Sequence, residues 1–174
     1  MKYFSQIITK DGKKYSLESM EEYTSSSEEI QDFSEVLEDE KVIEYITREA
    51  IEKWQHKNAE SLARDILVNS RVRWEEGKEL RFLLRNELQK VIGMIGVTLE
   101  SSTKGELWYY KTAKSSSCMF EALQKALSFL AKEGVTQLFA SYELSNVRSA
   151  EILLKLGFKE IKTGSVFLDL GLIT

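Results

Sequence analysis

The stretch ELSNVRSAEILLKLGFKEI, Glu143–Ile161, decides how the whole chain is read. Asn146 to Leu156 reads as a helix, with Asn146 suited to the N-cap and Gly157 to the stop. Working back from it, VTQLFASY (135–142) is a buried strand, and the spacing of Met119, Leu123, Leu127 and Leu130 predicts a helix from Ser116 to Gly134. Ahead of that helix lies ELWYYKTA (106–113), another strand. A strand, a helix and a strand in succession predict a parallel pair joined by a crossover helix. Working forward, Thr163 and Gly164 turn the chain and SVFLDLGL (165–172) supplies a last strand.

The earlier half is read outward from the same unit. LRFLLR (80–85), the polar turn NELQ, VIGMIGVTLE (91–100), a second turn at Ser101 to Gly105 and ELWYYKTA form an antiparallel meander of three strands. KKYSLESM (13–20) alternates Tyr15 and Leu17 with polar neighbours and reads as a strand. The serine run Ser25–Ser27 with Glu28 and Glu29 behind it marks a capped helix start, and Ile30, Phe33, Val36 and Leu37 carry that helix on. Val42, Ile43 and Ile46 predict a second short helix. A longer amphipathic run through Ile51, Trp54, Leu62, Ile66 and Val72 predicts a helix over 48–76, with a break near Asn58 and a stop at Gly77. Trp54 and Trp74 are expected in the core. The sum is a mixed sheet with helices, an α/β (α+β) sandwich forming a single domain over residues 1–174.

Composition narrows the function classes. The single cysteine, Cys118, excludes an internal disulfide, and the opening MKYFSQIITKDGKKY has no apolar run to read as a secretion signal, so the reducing cytoplasm is the expected location. No window approaches the roughly 18 apolar residues that a membrane-crossing helix needs. The net charge of -4 opposes nucleic-acid binding, which needs clustered Lys and Arg. Residues 1–60 hold 15 Asp and Glu against 8 Lys and Arg, an imbalance that either keeps a helical surface solvated or draws in a cationic partner. His56 has no Cys or His partners at ligand spacing, so no metal site is expected. A monomer or a homodimer is expected.

Asn146, Ser149, Lys155, Gly157 and Phe158 stand in register with a known pattern. The stretch resembles the closing signature of the GNAT family of N-acetyltransferases, where an Asn and a Ser or Ala three residues later precede a helix ending in Lys-x-Gly-Phe. FLLRNELQKVIGMIGVTLE is similar to the family's paired central strands. GELWYYKTA resembles the next strand of its ribosomal-protein acetyltransferase branch, commonly Ala-Glu-Ile-Gly-Tyr-Trp. The likeness spans roughly residues 13–174. It implies the GNAT acyl-CoA N-acyltransferase fold, with antiparallel N-terminal strands and helices on both faces of the sheet. It also implies direct transfer of acetyl from acetyl-CoA to a primary amine, on a protein N-terminus or a small molecule.

The physical logic of a parallel strand pair joined by a helix points to the same place. The helix N-terminus, with unpaired N–H groups, faces the crevice at the strands' carboxyl ends and suits a pyrophosphate. Here that turn is Lys114, Ser115, Ser116, Ser117, Cys118, Met119 and Phe120. The resemblance puts Lys114 at the family's basic position and Ser115 and Ser117 at glycine positions. It puts Met119 where the family has a small residue. These replacements motivate the alternative reading, a GNAT-like binding or assembly module with a degenerate CoA loop. The helix N-terminus is an environment that lowers a thiol pKa, but no His lies near Cys118 in sequence to make it a nucleophile, and a buried or cofactor-adjacent thiol is the better expectation.

Acetyl transfer from a bound donor needs a base for the acceptor ammonium and an acid for the leaving thiolate. Glu106 matches the Glu of the branch's strand motif and is the first base expectation, with Glu100 on the preceding strand as the second. The resemblance implies a bulged strand at Tyr109, Tyr110, Lys111 and Thr112 that pairs with the pantetheine arm. A backbone N–H near Tyr109 or Tyr110 would there meet the oxyanion. Asn146 and Ser149 are expected along the donor's amide arm. The family's usual Tyr acid falls at Leu153, which leaves the acid unassigned, with Tyr142 and Ser141 at the end of the strand before Asn146 to be considered and Tyr142 carried forward.

Overall fold

The structure is a computed structural model that describes residues 3–44, 52–53, 58–113 and 117–172. The strands are β1 (Phe4–Ile8), β2 (Lys14–Ser19), β3 (Glu79–Arg85), β4 (Val91–Ser101), β5 (Lys104–Lys111), β6 (Gln137–Ser141), β7 (Lys159–Lys162) and β8 (Ser165–Asp169). They form one sheet in the order β1-β2-β3-β4-β5-β6-β8-β7. The helices are α1 (Ser27–Leu37), the single turn α2 (Glu40–Val42), α3 (Ala59–Glu75), α4 (Met119–Lys132) and α5 (Val147–Lys155). β5 and β6 run parallel, with α4 crossing between them, and the other pairings are antiparallel. The mixed α/β architecture is the one the sequence predicts.

Two apolar cores lie on opposite faces of the sheet. Leu17, Phe82, Leu84, Ile95 and Leu107 pack with Leu123, Leu127 and Leu130 of α4. Leu83, Met94 and Tyr110 pack with Phe33 and Leu37 of α1 and Leu62 and Leu67 of α3. Leu83 lies in the other core from its neighbours Phe82 and Leu84 because successive strand side chains point to opposite faces. That is why every residue of β3 is buried, a pattern that only a sheet covered on both sides produces. Each Leu fully buried in this way contributes about 1.5–3 kcal/mol.

α1 is held in place at its start. Ser26 accepts from the Glu29 N–H and the Glu29 side chain returns to the Ser26 N–H, a capping box worth about 1 kcal/mol. The same Glu29 carboxylate accepts from Tyr23 (2.8 Å) and pairs with Arg85 of β3, which also reaches Glu18 at 3.3 Å. Burial pushes Glu29 up, but the hydrogen bonds from Arg85, Tyr23 and the Ser26 N–H and the Arg85 charge together outweigh it, and the carboxyl sits below its ordinary value. α4 and α5 end at Gly134 and Gly157, with φ of 90° and 97°, where a residue with a Cβ would be strained.

Several local expectations change. β1 and β7 are additional strands; both are edges, where only Ile7 of β1 and no residue of β7 is buried, so neither shows the apolar alternation of a covered strand. SVFLDLGL is a strand only to Asp169 and then a 3-10 turn, Leu170–Leu172. The break near Asn58 is there, as an N-cap whose side chain accepts from the Ser61 N–H at 2.9 Å. Thr47, Trp54 and His56, where readings were also made, lie outside the described residues. Among the described residues no helix is long and apolar enough to cross a membrane.

Candidate active site

The site begins where two strands part. β5 and β6 pair from Lys104 opposite Gln137 only as far as Glu106 opposite Phe139, although β5 continues to Lys111 and β6 to Ser141. Beyond Glu106, among the described residues, no strand pairs with the β6 side of β5. Thr112 donates its N–H to Ile92 O of β4 (2.9 Å), and backbone groups alternate in direction along a strand. By that alternation the N–H and C=O of Tyr109 and Lys111 face the opening. This edge can accept an extended amide-bearing chain, and the Tyr109 N–H can meet a developing oxyanion.

A cavity of about 400 Å³ fills the opening, walled by Tyr109 and Lys111 of β5, Met119 of α4 and Asn146, Arg148 and Ser149 at the start of α5. Asn146 caps α5 by accepting from the Ser149 N–H (3.2 Å). The Ser149 hydroxyl lies 2.7 Å from the Tyr109 phenol oxygen, so the two hydroxyls form one hydrogen-bonded pair on the cavity wall. Burial lifts the Tyr109 phenol above its ordinary value against the opposing Ser149 contact, which keeps it protonated and able to donate. The Lys111 ammonium is half-buried and its pKa is drawn down, first by burial and also by the charges of Arg148 and Lys41.

A second cavity, of about 670 Å³, lies against the end of β5 from the other side, beneath α1 and α2. Its wall carries Asp32, Glu35, Glu38, Asp39 and Glu40, with Lys41 as its single cation among the described residues. Asp39 is the hinge of this wall. Its carboxylate accepts from the Thr112 hydroxyl (2.9 Å) and the Ala113 N–H (3.0 Å), and from the Lys41 N–H at 3.2 Å. One side chain thus ties the acidic corner to the chain leaving β5. Lys41 and Ala113 border both cavities, so the two are neighbours across a thin wall.

The expected residues distribute unevenly over this geometry. Tyr109, Tyr110, Lys111, Met119, Asn146 and Ser149 all reach the first cavity, and Thr112 reaches the second. Ser117 is exposed and Phe120 half-buried under the Lys155 ammonium, 4.4 Å from its ring centre. Lys114, Ser115 and Ser116 lie outside the described residues. Met119 packs into the core at 3% exposure. α4 starts at Cys118 with no side-chain cap hydrogen bond. Glu106 is exposed, on the face of β5 that carries Trp108 and Tyr110, and borders neither cavity. Glu100 pairs with Lys104 (2.8 Å) in the β4–β5 hairpin, at the opposite end of the strands. Tyr142 follows β6, donates its N–H to Gly164 O (3.0 Å) and also borders neither cavity.

One expectation is corrected. The bulge implied near Tyr109 and Tyr110 is not there: β4 and β5 stay in step from Gly93–Lys111 to Leu99–Gly105, and the shift falls between Leu99 and Ser101. The Cys118 thiol is not lowered by its helix start. It is fully buried, and burial pushes its pKa up to about 11. Sequence reading missed Asp39, Lys41 and Arg148 as site residues. Arg148 was legible in principle, as a cation in a helix first turn that holds no acid.

A sheet parted at its parallel β5–β6 pair, with helix starts facing the gap and cavities on both sides of the strand end, is the architecture of an acyltransferase. The sequence profile of the acetyltransferase (GNAT) domain matches residues 23–159, and the chain belongs to that family of acetyltransferases. No curated protein matches the chain in sequence. Among solved structures, RimJ of Mycobacterium smegmatis in complex with CoA-disulfide is 14% identical, with a TM-score of 0.69 over 97% of this chain and 87% of that one. The ribosomal-protein-S5-alanine acetyltransferase of Vibrio fischeri is 13% identical, with a TM-score of 0.67 over 95% and 96%. A chimera of the spermidine N-acetyltransferase SpeG of Vibrio cholerae is 10% identical, with a TM-score of 0.62 over 89% and 96%. At these identities the likeness is one of fold.

Proposed function

We propose that the chain, as one catalytic unit in the reducing cytoplasm, transfers acetyl from acetyl-CoA to a primary amine on a cationic acceptor. Transfer is direct, with both partners bound. The observation that carries the reading is the parting of β5 from β6 after Glu106, with an acid-walled cavity on the far side of the same strand end. Acetyl-CoA supplies the activated acyl group. Tyr109 and Lys111 offer backbone to its amide arm, and Asn146 and Ser149 border that path. The acceptor nitrogen forms its bond to the carbonyl carbon as the carbon–sulfur bond breaks. One proton leaves the amine and one reaches the departing sulfur. Glu106 takes the first through water, from its exposed place where the strands separate. The Tyr109–Ser149 hydroxyl pair supplies the second, filling the role that Leu153 cannot.

The acid-walled cavity selects acceptors by charge, because clefts lined by one sign of charge concentrate the opposite ion. A polyamine or the N-terminus of a basic peptide fits it, and an acidic peptide does not. A thiol-release assay with acetyl-CoA across a panel of such amines tests the reading: turnover is expected with cationic acceptors and not with acidic ones. The replaced glycines at Ser115 and Ser117 favour the rival, a module without catalysis. Calorimetry separates the two, since no detectable acetyl-CoA binding at millimolar concentration ends the enzyme reading. For the base, Glu106→Gln is expected to slow turnover; an unchanged rate would remove Glu106 from the mechanism.

A further inference from the structure

The sheet ends in two edge strands, β1 and β7, and the two are built differently. In β7 the residues Lys159, Glu160 and Lys162 are charged, and the pairing with β8 shifts register between Glu160 and Lys162. Charge and a bulge are common means of keeping an edge from pairing with another chain. β1 has neither: Phe4–Ile8 carries no charged residue and stays in step with β2 along its length. Its backbone directions follow from the bonds at its ends. Tyr3 O accepts from the Ser19 N–H (2.9 Å) and Thr9 donates its N–H to Lys13 O (3.0 Å), so the odd-numbered residues address β2. By alternation the N–H and C=O groups of Phe4, Gln6 and Ile8 face outward. The same residues place their side chains together on one face of the strand, where Phe4 is 55% and Ile8 65% exposed.

We propose that β1 pairs antiparallel with β1 of a second copy of this chain, about a two-fold axis at Gln6. The occupant is a second copy because the edge is its own complement. With the axis there, Gln6 meets Gln6 of the second copy, and Phe4 of each copy meets Ile8 of the other. These are the residues whose backbone groups face outward, so each facing pair exchanges both N–H···O bonds. Each Phe4–Ile8 pair also covers apolar surface that water otherwise meets, and an aromatic beside a β-branched side chain is a favourable cross-strand pair. An axis one residue to either side sets Gln6 against Phe4 or against Ile8 and pairs fewer of the outward groups. β5 lies four strands from this edge, about 19 Å at about 4.8 Å per strand, so the pairing leaves both cavities open and stands independently of the transferase reading. A contact of five residues per copy is smaller than a standard interface, and the dimer is correspondingly weak, with a Kd on the order of 10–100 µM.

Sedimentation equilibrium from about 1 µM to about 1 mM brackets that Kd and tests the pairing. The wild-type mass is expected to rise from that of one chain to that of two and no further, because a two-fold contact closes on itself. Gln6→Pro removes an outward N–H, takes no bond from the β1–β2 ladder, and is expected to weaken the dimer at least about tenfold. Ile8→Lys should do the same by setting a charge in the edge, and as an exposed position it keeps the test decisive if the proline unsettles the fold. Gln6→Cys reads the register. The Cα atoms of such a facing pair stand about 5.5 Å apart, within disulfide range, so mild oxidation should link two copies. Wild type, whose Cys118 is fully buried, should stay unlinked. A wild type that stays single through about 1 mM overturns the pairing and leaves the edge to another protein's strand or to solvent. A dimer unmoved by both Gln6→Pro and Ile8→Lys overturns it as well, and so does growth into longer assemblies. Failure of Gln6→Cys to link while the dimer persists overturns the axis at Gln6.

Discussion

Two cavities meet at the carboxyl end of β5, and their charges are opposite. Among the described residues, the one under α1 and α2 shows five carboxylates and one lysine, and the one beside α5 shows three cations and one carboxylate. The division runs between neighbours in sequence, with Lys111 on the basic side and Thr112 on the acidic side. Strand alternation alone makes that possible, because consecutive residues leave the backbone toward opposite faces. A chain with net charge -4 thus still presents a locally basic surface beside α5. The contrast teaches that whole-chain charge argues about non-specific partners, while recognition depends on which face of one strand a charge occupies.

The comparison breaks most severely at Tyr109, the residue assigned the chemistry on the basic side. Tyr109→Phe removes the phenol from its 2.7 Å contact with Ser149 and leaves the ring in the core. The kcat is expected to fall about 100-fold, the low end for loss of a general acid, with both KM values within about twofold. A matching fall in donor affinity would make Tyr109 a binding residue instead. The pH profile sharpens this. Because burial lifts the phenol above its usual value near 10, the acid stays protonated through neutral pH, and wild-type kcat should hold its plateau to at least about pH 9. An alkaline fall well below that would point to another acid.

A change in the shared sheet should affect neither side selectively. Gly96 has no room for a Cβ, which would meet Trp108 at 2.0 Å. Trp108 stacks on Tyr110 with ring centres 6.0 Å apart, and its indole N–H donates to Thr98 at 3.1 Å. Gly96→Ala forces that ring to move and is expected to cost about 2 kcal/mol by denaturant unfolding, within the usual range for overpacking. The two KM values should stay in their wild-type ratio. A selective rise in one would show that the Trp108 stack shapes that cavity directly.

Asp39 belongs to the acidic wall yet holds the chain that leads to the basic side. Asp39→Asn turns one of the two accepting oxygens into a donating NH2 and removes the charge, so the clasp loses either the Lys41 N–H bond or those from the Thr112 hydroxyl and the Ala113 N–H, and the remaining bonds weaken. Loss of a hydrogen bond to a charged group corresponds to about tenfold, and both KM values should rise by about that factor. An effect confined to the acceptor would reduce Asp39 to one more carboxylate of the wall.

The sequence made the frame legible where burial is two-sided. β3, β4 and the helices stopped by Gly134 and Gly157 carry strong periodicity, and Asn146 to Phe158 stood out as one pattern. The edges β1 and β7 gave almost no apolar alternation, because water covers most of their surface. At the site, residues that share a strand or helix were found, and pairs across elements were not. Tyr109 and Ser149 are 40 positions apart and Asp39 and Ala113 are 74 apart, so no local spacing announces either contact. Cys118 is a partial exception, since a buried thiol was the better expectation from sequence, but only the packing shows that burial outweighs the helix start and raises its pKa.

The smallest expected effect is also the most selective. Glu35→Gln with Glu38→Gln removes two charges from the acidic wall while leaving the Asp39 clasp and the Asp32–Lys90 pair (3.8 Å) in place. Both side chains sit near solvent, where each interaction with a cation is worth a few tenths of a kcal/mol at ordinary salt. The double variant should therefore raise the KM for a dicationic amine only about threefold, with the acetyl-CoA KM unchanged. The difference from wild type should shrink further at high salt, because screening acts on exposed charges first. For a monocationic amine the factor should be smaller still, since fewer charge pairs are lost. An equal change for neutral and cationic acceptors would mean that the wall acts through shape, and the opposite charges of the two cavities would then have no part in telling donor from acceptor.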